Sequence, residues 1–534
     1  MRNTRLLIPK TTVIISLILI ATSLYVRFRL LATPLERDEG EFAYMAQLFL
    51  KGIPPYANAY TMKLPGVALL YALTMSIFGQ SSVGIHIGLM LVNIACIGLV
   101  YLIGKFFLPR ETSLLAATLF ALLSLSQSVF GVFAHATHFV LLFSLSGIIL
   151  LERGLTSRRT AVIFVSGTCF GMAFLMKQHA VIMIIFALFF QIWRQRKELW
   201  SFFKDGSTFL IGAAIPYILL VIWLFNAGVF GNFWFWTVQY AGAYASGLSI
   251  ADGFTNFVQT FQPIVIQNLP IWLLSTAGIV ALIFNKREVS ADKMFLIGYL
   301  AISFAMTCPG FYFRAHYFVL LLPPVALLSA YAFTSFTQKS PDALPSNRLR
   351  AGISSLLLLT ILLYSLAAAK DYNFTLTPQE VNRRLYGLNP FPEAVEIAAY
   401  LREHTNYNDR IAVLGSEPEI LFYADRLSAT GHIYMYGLME NHRYTERMQH
   451  QLIRDIESAA PAYIVVINTY TSWLLGPNSL NRILDWGDSY ISERYDQVGI
   501  VDILEDGPTR YIWGKELAGY EPKSESFVSI FRRR

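Results

Sequence analysis

Along the first 370 positions, apolar runs alternate with short polar breaks, and many of the runs approach the ~20 residues that a helix needs to cross a bilayer. The pattern predicts spans at 9–30, 83–107, 112–131, 136–151, 160–176, 180–193, 207–226, 263–284, 294–309, 316–335 and 351–369. A further apolar stretch, 64–78, follows Lys63-Leu64-Pro65-Gly66, and Pro and Gly at its start predict a half-buried or re-entrant helix. The loop 228–262 holds Phe233, Trp234, Phe235, Trp236 and Tyr240 and no Lys or Arg, which predicts a helix lying at headgroup level as an anchor. Beyond about residue 370 the pattern changes. Arg410–Gly415 and Tyr463–Asn468 read as buried strands, and 393–404 and 443–459 carry helical period, which predicts a small α/β domain with a partly parallel sheet.

Composition agrees with this division. The 534 residues are 55% hydrophobic and 14% charged, well below the roughly 25% charge of a soluble domain. Residues 1–370 hold 26 Lys/Arg against 12 Asp/Glu, whereas 371–534 hold 16 against 23. The expected organisation is therefore a transmembrane domain over 1–370 and a separate domain over 371–534. The basic excess sits in short loops between apolar runs, which is where basic residues set membrane orientation, so it does not indicate nucleic acid. Cys96, Cys169 and Cys308 are far apart, in or beside apolar runs, and read as small buried hydrophobes. The basic N-terminal run has no clear small-residue cleavage site and is followed by more spans, so it is expected to stay as an anchor.

With these spans, one side of the membrane receives 18 basic residues: Arg2, Arg5 and Lys10 at the N-terminus, and then the groups at 105–110, 153–159, 194–204, 286–293 and 339–350. The other side receives seven: Arg27, Arg29, Arg37, Lys51, Lys63, Lys177 and Arg314. The asymmetry places the N-terminus in the cytoplasm and the C-terminal domain outside.

The first outer loop, 32–63, is the most informative segment. Four of the 12 acidic residues of the first 370 fall within six positions, in Glu36-Arg37-Asp38-Glu39-Gly40-Glu41. Thr33 and Pro34 suit a helix N-cap and first turn, and on that helix Asp38 and Glu41 share a face with Glu39 turned away. A helix N-terminus favours acidic side chains, but that accounts for only one or two of the four. The five histidines of the membrane part, His86, His135, His138, His179 and His316, lie at predicted outer ends of spans, and Lys177 and Arg314 lie beside two of them. Together they predict a polar cavity open to the outside, since ionisable residues at membrane depth usually line a functional path. The cations Lys63, Lys177, Arg314 and Arg37 suit a phosphate group, and a nearby carboxylate suits a general base. The combination points to transfer of a group from a lipid-phosphate carrier to a hydroxyl. His404, His432, His442 and His450 show no metal spacing and are expected at the surface.

These residues resemble the GT-C membrane glycosyltransferases, in particular the superfamily of protein O-mannosyltransferases and lipid A aminoarabinose transferases (bacterial glycosyltransferase family 39-like). Asp38-Glu39 matches the acidic pair that opens the first outer loop. Lys63-Leu64-Pro65-Gly66 is similar to its Lys-Pro-Pro-like motif, and Lys177-Gln178 to its Lys-Gln pair. Arg314-Ala315-His316-Tyr317 with Leu322-Pro323-Pro324 is similar to its basic, Tyr-containing segment. Gly415-Ser416-Glu417-Pro418-Glu419 resembles the extracytoplasmic domain of bacterial members. The implied fold is a multi-span α-helical membrane protein, a GT-C type bundle with a C-terminal extracytoplasmic α/β domain, in a bacterial inner membrane.

The implied activity is inverting transfer of a hexosyl or pentosyl group from a polyprenyl-phosphate sugar to a glycan, lipid or protein acceptor. Asp38 is the implied base, with Glu39 beside it, and Lys63 holds the donor phosphate. Tyr44, Tyr60 and Glu41, together with His135, His138, Gln178, His179, His316 and Tyr317, are the candidate cavity lining. A divalent cation, Mg or Mn, is implied near the acidic cluster, with Asp38 as its candidate ligand. One departure is that His135-Ala-Thr-His138 stands where many members have an acidic residue, and two histidines spaced i, i+3 suit a metal as well. The other classes compatible with the chain are a lipid-linked sugar flippase or transporter, against which no internal repeat is visible, and a polysaccharide polymerase or ligase.

Overall fold

The computed structural model describes residues 10–284, 290–339 and 347–534. The expected basic positions Arg2, Arg5, Lys286 and Arg287 lie outside the described residues, as does the first residue of the 9–30 span. Two compact units emerge. The first comprises Met1–Leu31, His86–Val221 and Ala245–Leu376, and the second Ala32–Ile85, Ile222–Tyr244 and Thr377–Arg534.

The first unit is helical, and a helix lies at each of the eleven expected span positions. Among the described residues, four helices are long and apolar enough to cross a membrane: Ser82–Phe107, Ala136–Ser157, Trp200–Asn226 and Ala315–Ser335. The pair Ile250–Gln267 and Leu269–Phe284 makes a fifth if it counts as one span bent by 99°. Others are shorter, such as Thr160–Met176 at 17 residues, which has its expected bounds, and Val181–Gln195 at 15, which runs two residues past its expected end. The bend at Asn268 shortens the expected 263–284 span, and Ser126 helps hold it, accepting from Asn268 and donating to Gln267. Helices Thr160–Met176 and Leu199–Asn226 cross backbone to backbone. A Cβ on Gly167 would lie 2.0 Å from the Phe209 carbonyl oxygen and one on Gly212 2.2 Å from that of Phe164, which is the small-residue packing that membrane helices favour.

Two of the basic residues assigned to the outer side tie this unit together. Arg27 is buried and donates to the Gly131 and Ser124 carbonyls at 2.6 and 2.8 Å, and Arg29 caps the carbonyls of Tyr372, Asn373 and Leu376. The three cysteines are unpaired.

The second unit is built on a six-stranded mixed sheet. Its strands are β1 (Arg410–Leu414), β2 (Leu427–Ser428), β3 (Tyr463–Asn468), β4 (Tyr495–Asp502), β5 (Arg510–Trp513) and β6 (Phe527–Arg533), in the order β2-β1-β3-β6-β4-β5. The β2-β1-β3 part is parallel and the β3-β6-β4-β5 part antiparallel. β1 and β3 are nearly continuous apolar runs because both of their faces are covered. Helices Phe391–Glu403 and Thr445–Ala459 match the expected periods.

The aromatic segment departs from expectation. It divides into Phe230–Trp234, a π-turn over Phe235–Tyr240 and Ala241–Ala245, and it does not present its rings uniformly outward. Trp234 is 45% exposed, but Phe233, Trp236 and Tyr240 are buried. Phe233 packs edge-on to Tyr56, Trp236 stacks on Tyr60 at 5.3 Å, and the Tyr240 hydroxyl donates to Glu440. These rings clamp the segment 32–63 within the unit.

Candidate functional site

The acidic helix runs over Arg37–Leu50 and starts later than Thr33 and Pro34 suggested. Glu36 is its N-cap. The Glu36 carboxylate accepts from the Glu39 N–H at 2.9 Å, and the Glu39 carboxylate accepts from the Glu36 N–H at 3.3 Å, a reciprocal cap formed by two glutamates. Glu39, expected beside the base, is fully buried in this cap. The other two carboxylates behave differently. Asp38 and Glu41, one turn apart, both reach Lys63, whose ammonium lies 2.7 Å from Asp38 Oδ1 and 2.5 Å from Glu41 Oε2. Their burial separates them: the Asp38 side chain is 29% exposed and that of Glu41 only 2%. Asp38 is the accessible carboxylate of the two, and Glu41 the buried one.

Burial raises the pKa of Glu41, with the Lys63 charge opposing it. Burial alone would lower the pKa of Lys63, but the Asp38 and Glu41 charges outweigh it and hold the ammonium above its ordinary range. The Lys63 ammonium occupies the space between Asp38 and Glu41, and Asp38 is the residue of the acidic cluster that could still offer an oxygen to a metal ion.

Further partners come from the C-terminal segment, more than 350 residues away. The Tyr434 hydroxyl donates to Asp38 Oδ1 at 3.0 Å. Arg37, expected among the phosphate-binding cations, has protein partners instead. It donates to the Ser416 carbonyl at 2.6 Å, to Asn389 at 3.0 Å and to the fully buried Glu417 at 2.7 Å, between the rings of Phe391 and Tyr436. Gly40 is required by close approach: a Cβ there would lie 2.7 Å from both Cβ and N of Glu419, so the acidic helix rests directly on helix Pro418–Ala424. Glu419 is buried, and burial together with the Glu417 charge pushes its pKa well up.

The motif Gly415–Glu419 is thus the seat of the acidic helix. Tyr44, expected at a cavity wall, is fully buried. Its hydroxyl accepts from the Ser428 N–H at 2.8 Å, and burial pushes its pKa up to about 12. Tyr60 is fixed between the Trp236 ring, the Gln451 amide and the Gly431 carbonyl. His432, expected at the surface, is buried edge-on to Tyr60 and Trp236, and burial lowers its pKa to about 3.

The first unit gathers most of its own candidates. His135 and His316 stack with ring centroids 4.1 Å apart. Tyr317 lies against His316 and His179, and the Lys177 ammonium sits 3.9 Å from the centre of its ring. Gln178 and His179 form the short 3-10 turn after Lys177, and His179 Nδ1 is 3.1 Å from the Met306 carbonyl oxygen. Arg314 lies over Tyr312. His135 and His138 are both buried. His86 anchors a chain turn on the Leu31 carbonyl at 2.8 Å.

An all-helical unit of membrane-spanning helices together with a unit carrying a mixed C-terminal sheet has counterparts among solved structures. The apo form of the Archaeoglobus fulgidus oligosaccharyltransferase superposes with a TM-score of 0.57 at 13% identity, covering 94% of this chain and 74% of that one. ArnT from Cupriavidus metallidurans, bound to undecaprenyl phosphate, superposes with a TM-score of 0.56 at 13% identity, covering 96% and 97%. The fold is that of the GT-C membrane glycosyltransferases. A third GT-C structure, the archaeal oligosaccharyltransferase AglB in complex with an inhibitory peptide and a dolichol-phosphate, gives a TM-score of 0.53 at 14% identity over 98% of this chain and 76% of that one. The family model described as dolichyl-phosphate-mannose-protein mannosyltransferase matches residues 62–225, a stretch that includes Lys63, His135 and Lys177. No match was found among curated protein sequences.

Proposed function

We propose that this GT-C chain transfers a sugar, hexosyl or pentosyl, from a polyprenyl-phosphate carrier to an acceptor hydroxyl on the extracytoplasmic face of a bacterial inner membrane. In this reading 1–370 form the transferase domain and 371–534 an extracytoplasmic domain, with the N-terminus in the cytoplasm. The observation that carries the reading is the Asp38–Lys63–Glu41 triad, in which the one accessible carboxylate is paired with a cation. The polyprenyl phosphates bound by two GT-C proteins of the same fold support the choice of carrier.

The step is a direct displacement. An acceptor hydroxyl oxygen attacks the anomeric carbon, the bond from that carbon to the phosphate oxygen breaks, and polyprenyl phosphate leaves with the bonding electron pair. The hydroxyl proton passes to the Asp38 carboxylate, and the configuration at the anomeric carbon inverts. A phosphate is already a good leaving group, so one base suffices, unlike the acid–base pair of glycosidases. Lys63 is assigned to the departing phosphate, where a cation stabilises the charge that develops. Lys177 and Arg314 are assigned to the carrier phosphate on charge alone, and His135, His179, His316 and Tyr317 to lining. Arg37 and Glu39 hold the acidic helix in place.

The test presents purified full-length protein with radiolabelled polyprenyl-phosphate sugars and envelope extract, and in parallel reconstitutes it into vesicles loaded with the same donors. Label passing from carrier to extract is the expected result. Label that only crosses the vesicle membrane, still attached to its carrier, replaces this reading with a flippase.

A further inference from the structure

We propose that Tyr434 is a positioning residue for the Asp38 carboxylate, its hydroxyl and the Lys63 ammonium both bonding the same carboxylate oxygen. The inference rests on the reading of Asp38 as base. Tyr434 lies in the stretch between β2 and the short helix Tyr436–Met439. Its hydroxyl donates at 3.0 Å to Asp38 Oδ1, the same atom that takes Lys63 at 2.7 Å, and its ring centre lies 5.6 Å from the Lys63 ammonium.

A flexible lysine does not by itself stop a carboxylate from turning about its Cβ–Cγ bond. Two donors from different directions on one oxygen define its plane, and a base must be aimed to work. The stretch that carries Tyr434 is itself held. The Met435 N–H donates to Ser416 Oγ at 2.9 Å, Ser416 is bound on both its N–H and its hydroxyl by Ser472, and His432 is wedged against Tyr60 and Trp236. Burial and the neighbouring carboxylates raise the Tyr434 pKa well above its ordinary value, so the hydroxyl stays a donor throughout the physiological range. The same contact gives the C-terminal segment a part in the reaction, because it supplies a group that touches the base.

The test is Tyr434→Phe in the full-length chain, with initial rates measured against both donor and acceptor and the thermal midpoint measured beside them. A hydrogen bond to a charged group accounts for a factor of ten or more, so kcat should fall about tenfold while donor KM stays within about twofold and the midpoint hardly moves. A kcat within twofold of wild type overturns the proposal. So does a loss in which kcat, donor KM and midpoint all worsen together, since that describes a purely structural tyrosine. Absence of transfer by the wild-type protein would instead overturn the assignment of function on which the proposal depends.

Discussion

Replacing Lys63 by Met keeps most of the side chain's length and removes the ammonium that lies between Asp38 and Glu41. The two carboxylates respond differently. Asp38 is 29% exposed, so its pair is screened and is worth roughly 0.5–1 kcal/mol. Glu41 is 2% exposed, and leaving its charge unpaired costs about 3 kcal/mol. The variant should therefore lose about 3–4 kcal/mol at pH 8, a fall in Tm of about 5 °C or more. The pH dependence gives the mechanism. Burial already raises the Glu41 pKa above 4.5, and removing Lys63 raises it further. Between 4.5 and the raised value the folded variant holds a proton that the unfolded chain does not, so its stability falls as pH rises, by up to about 1.4 kcal/mol per unit. The deficit should therefore shrink as the pH is lowered from 8 towards 5. Adding Glu41→Gln should restore the midpoint at pH 8, because a neutral amide needs no counter-charge. Thermal unfolding of the three proteins in detergent from pH 5 to 8 decides the matter. A deficit equal at both ends of that range, or one that Glu41→Gln does not relieve, would refute the argument.

Two further perturbations test the setting of the triad. Gly40→Ala should destabilise by about 2 kcal/mol, since its Cβ would meet Glu419 at 2.7 Å and force the acidic helix off its seat; an unchanged midpoint would mean that the contact is loose. His432 has its pKa lowered from 6.5 to about 3, so stability is full above 6.5 and is lost as pH falls towards 3, by about 2 kcal/mol between pH 7 and 5. His432→Phe should flatten that part of the wild-type pH–stability curve, and a variant with the wild-type slope would place the cause elsewhere.

The features carried by local periodicity were legible in the sequence: the helix positions of the first unit, the buried strands β1 and β3, and the shared face of Asp38 and Glu41. The start of the acidic helix was not, because glutamate is an uncommon N-cap and the Thr33-Pro34 signal three residues earlier is the stronger one. The acidic cluster divides in two. Glu36 and Glu39 serve the helix terminus, as its dipole favours, whereas Asp38 and Glu41 serve Lys63. The roles of Arg37 and Tyr44 were hidden because their partners, Glu417 and Ser428, lie more than 370 residues away and are fixed only by tertiary packing. The same holds for the aromatic segment, whose composition suits a membrane surface equally well whether its rings face lipid or, as Trp236 does, another tyrosine.

The central claim is that Asp38 takes the acceptor's proton. It is tested most directly by single-turnover transfer from a saturating, radiolabelled polyprenyl-phosphate sugar, comparing wild type with Asp38→Asn. Asparagine keeps the size of the side chain and can still accept from Tyr434, so folding and donor binding should persist. The rate of transfer should fall by at least about a hundredfold, the usual contribution of a positioned base. An Asp38→Asn protein that transfers label at the wild-type rate would contradict the account.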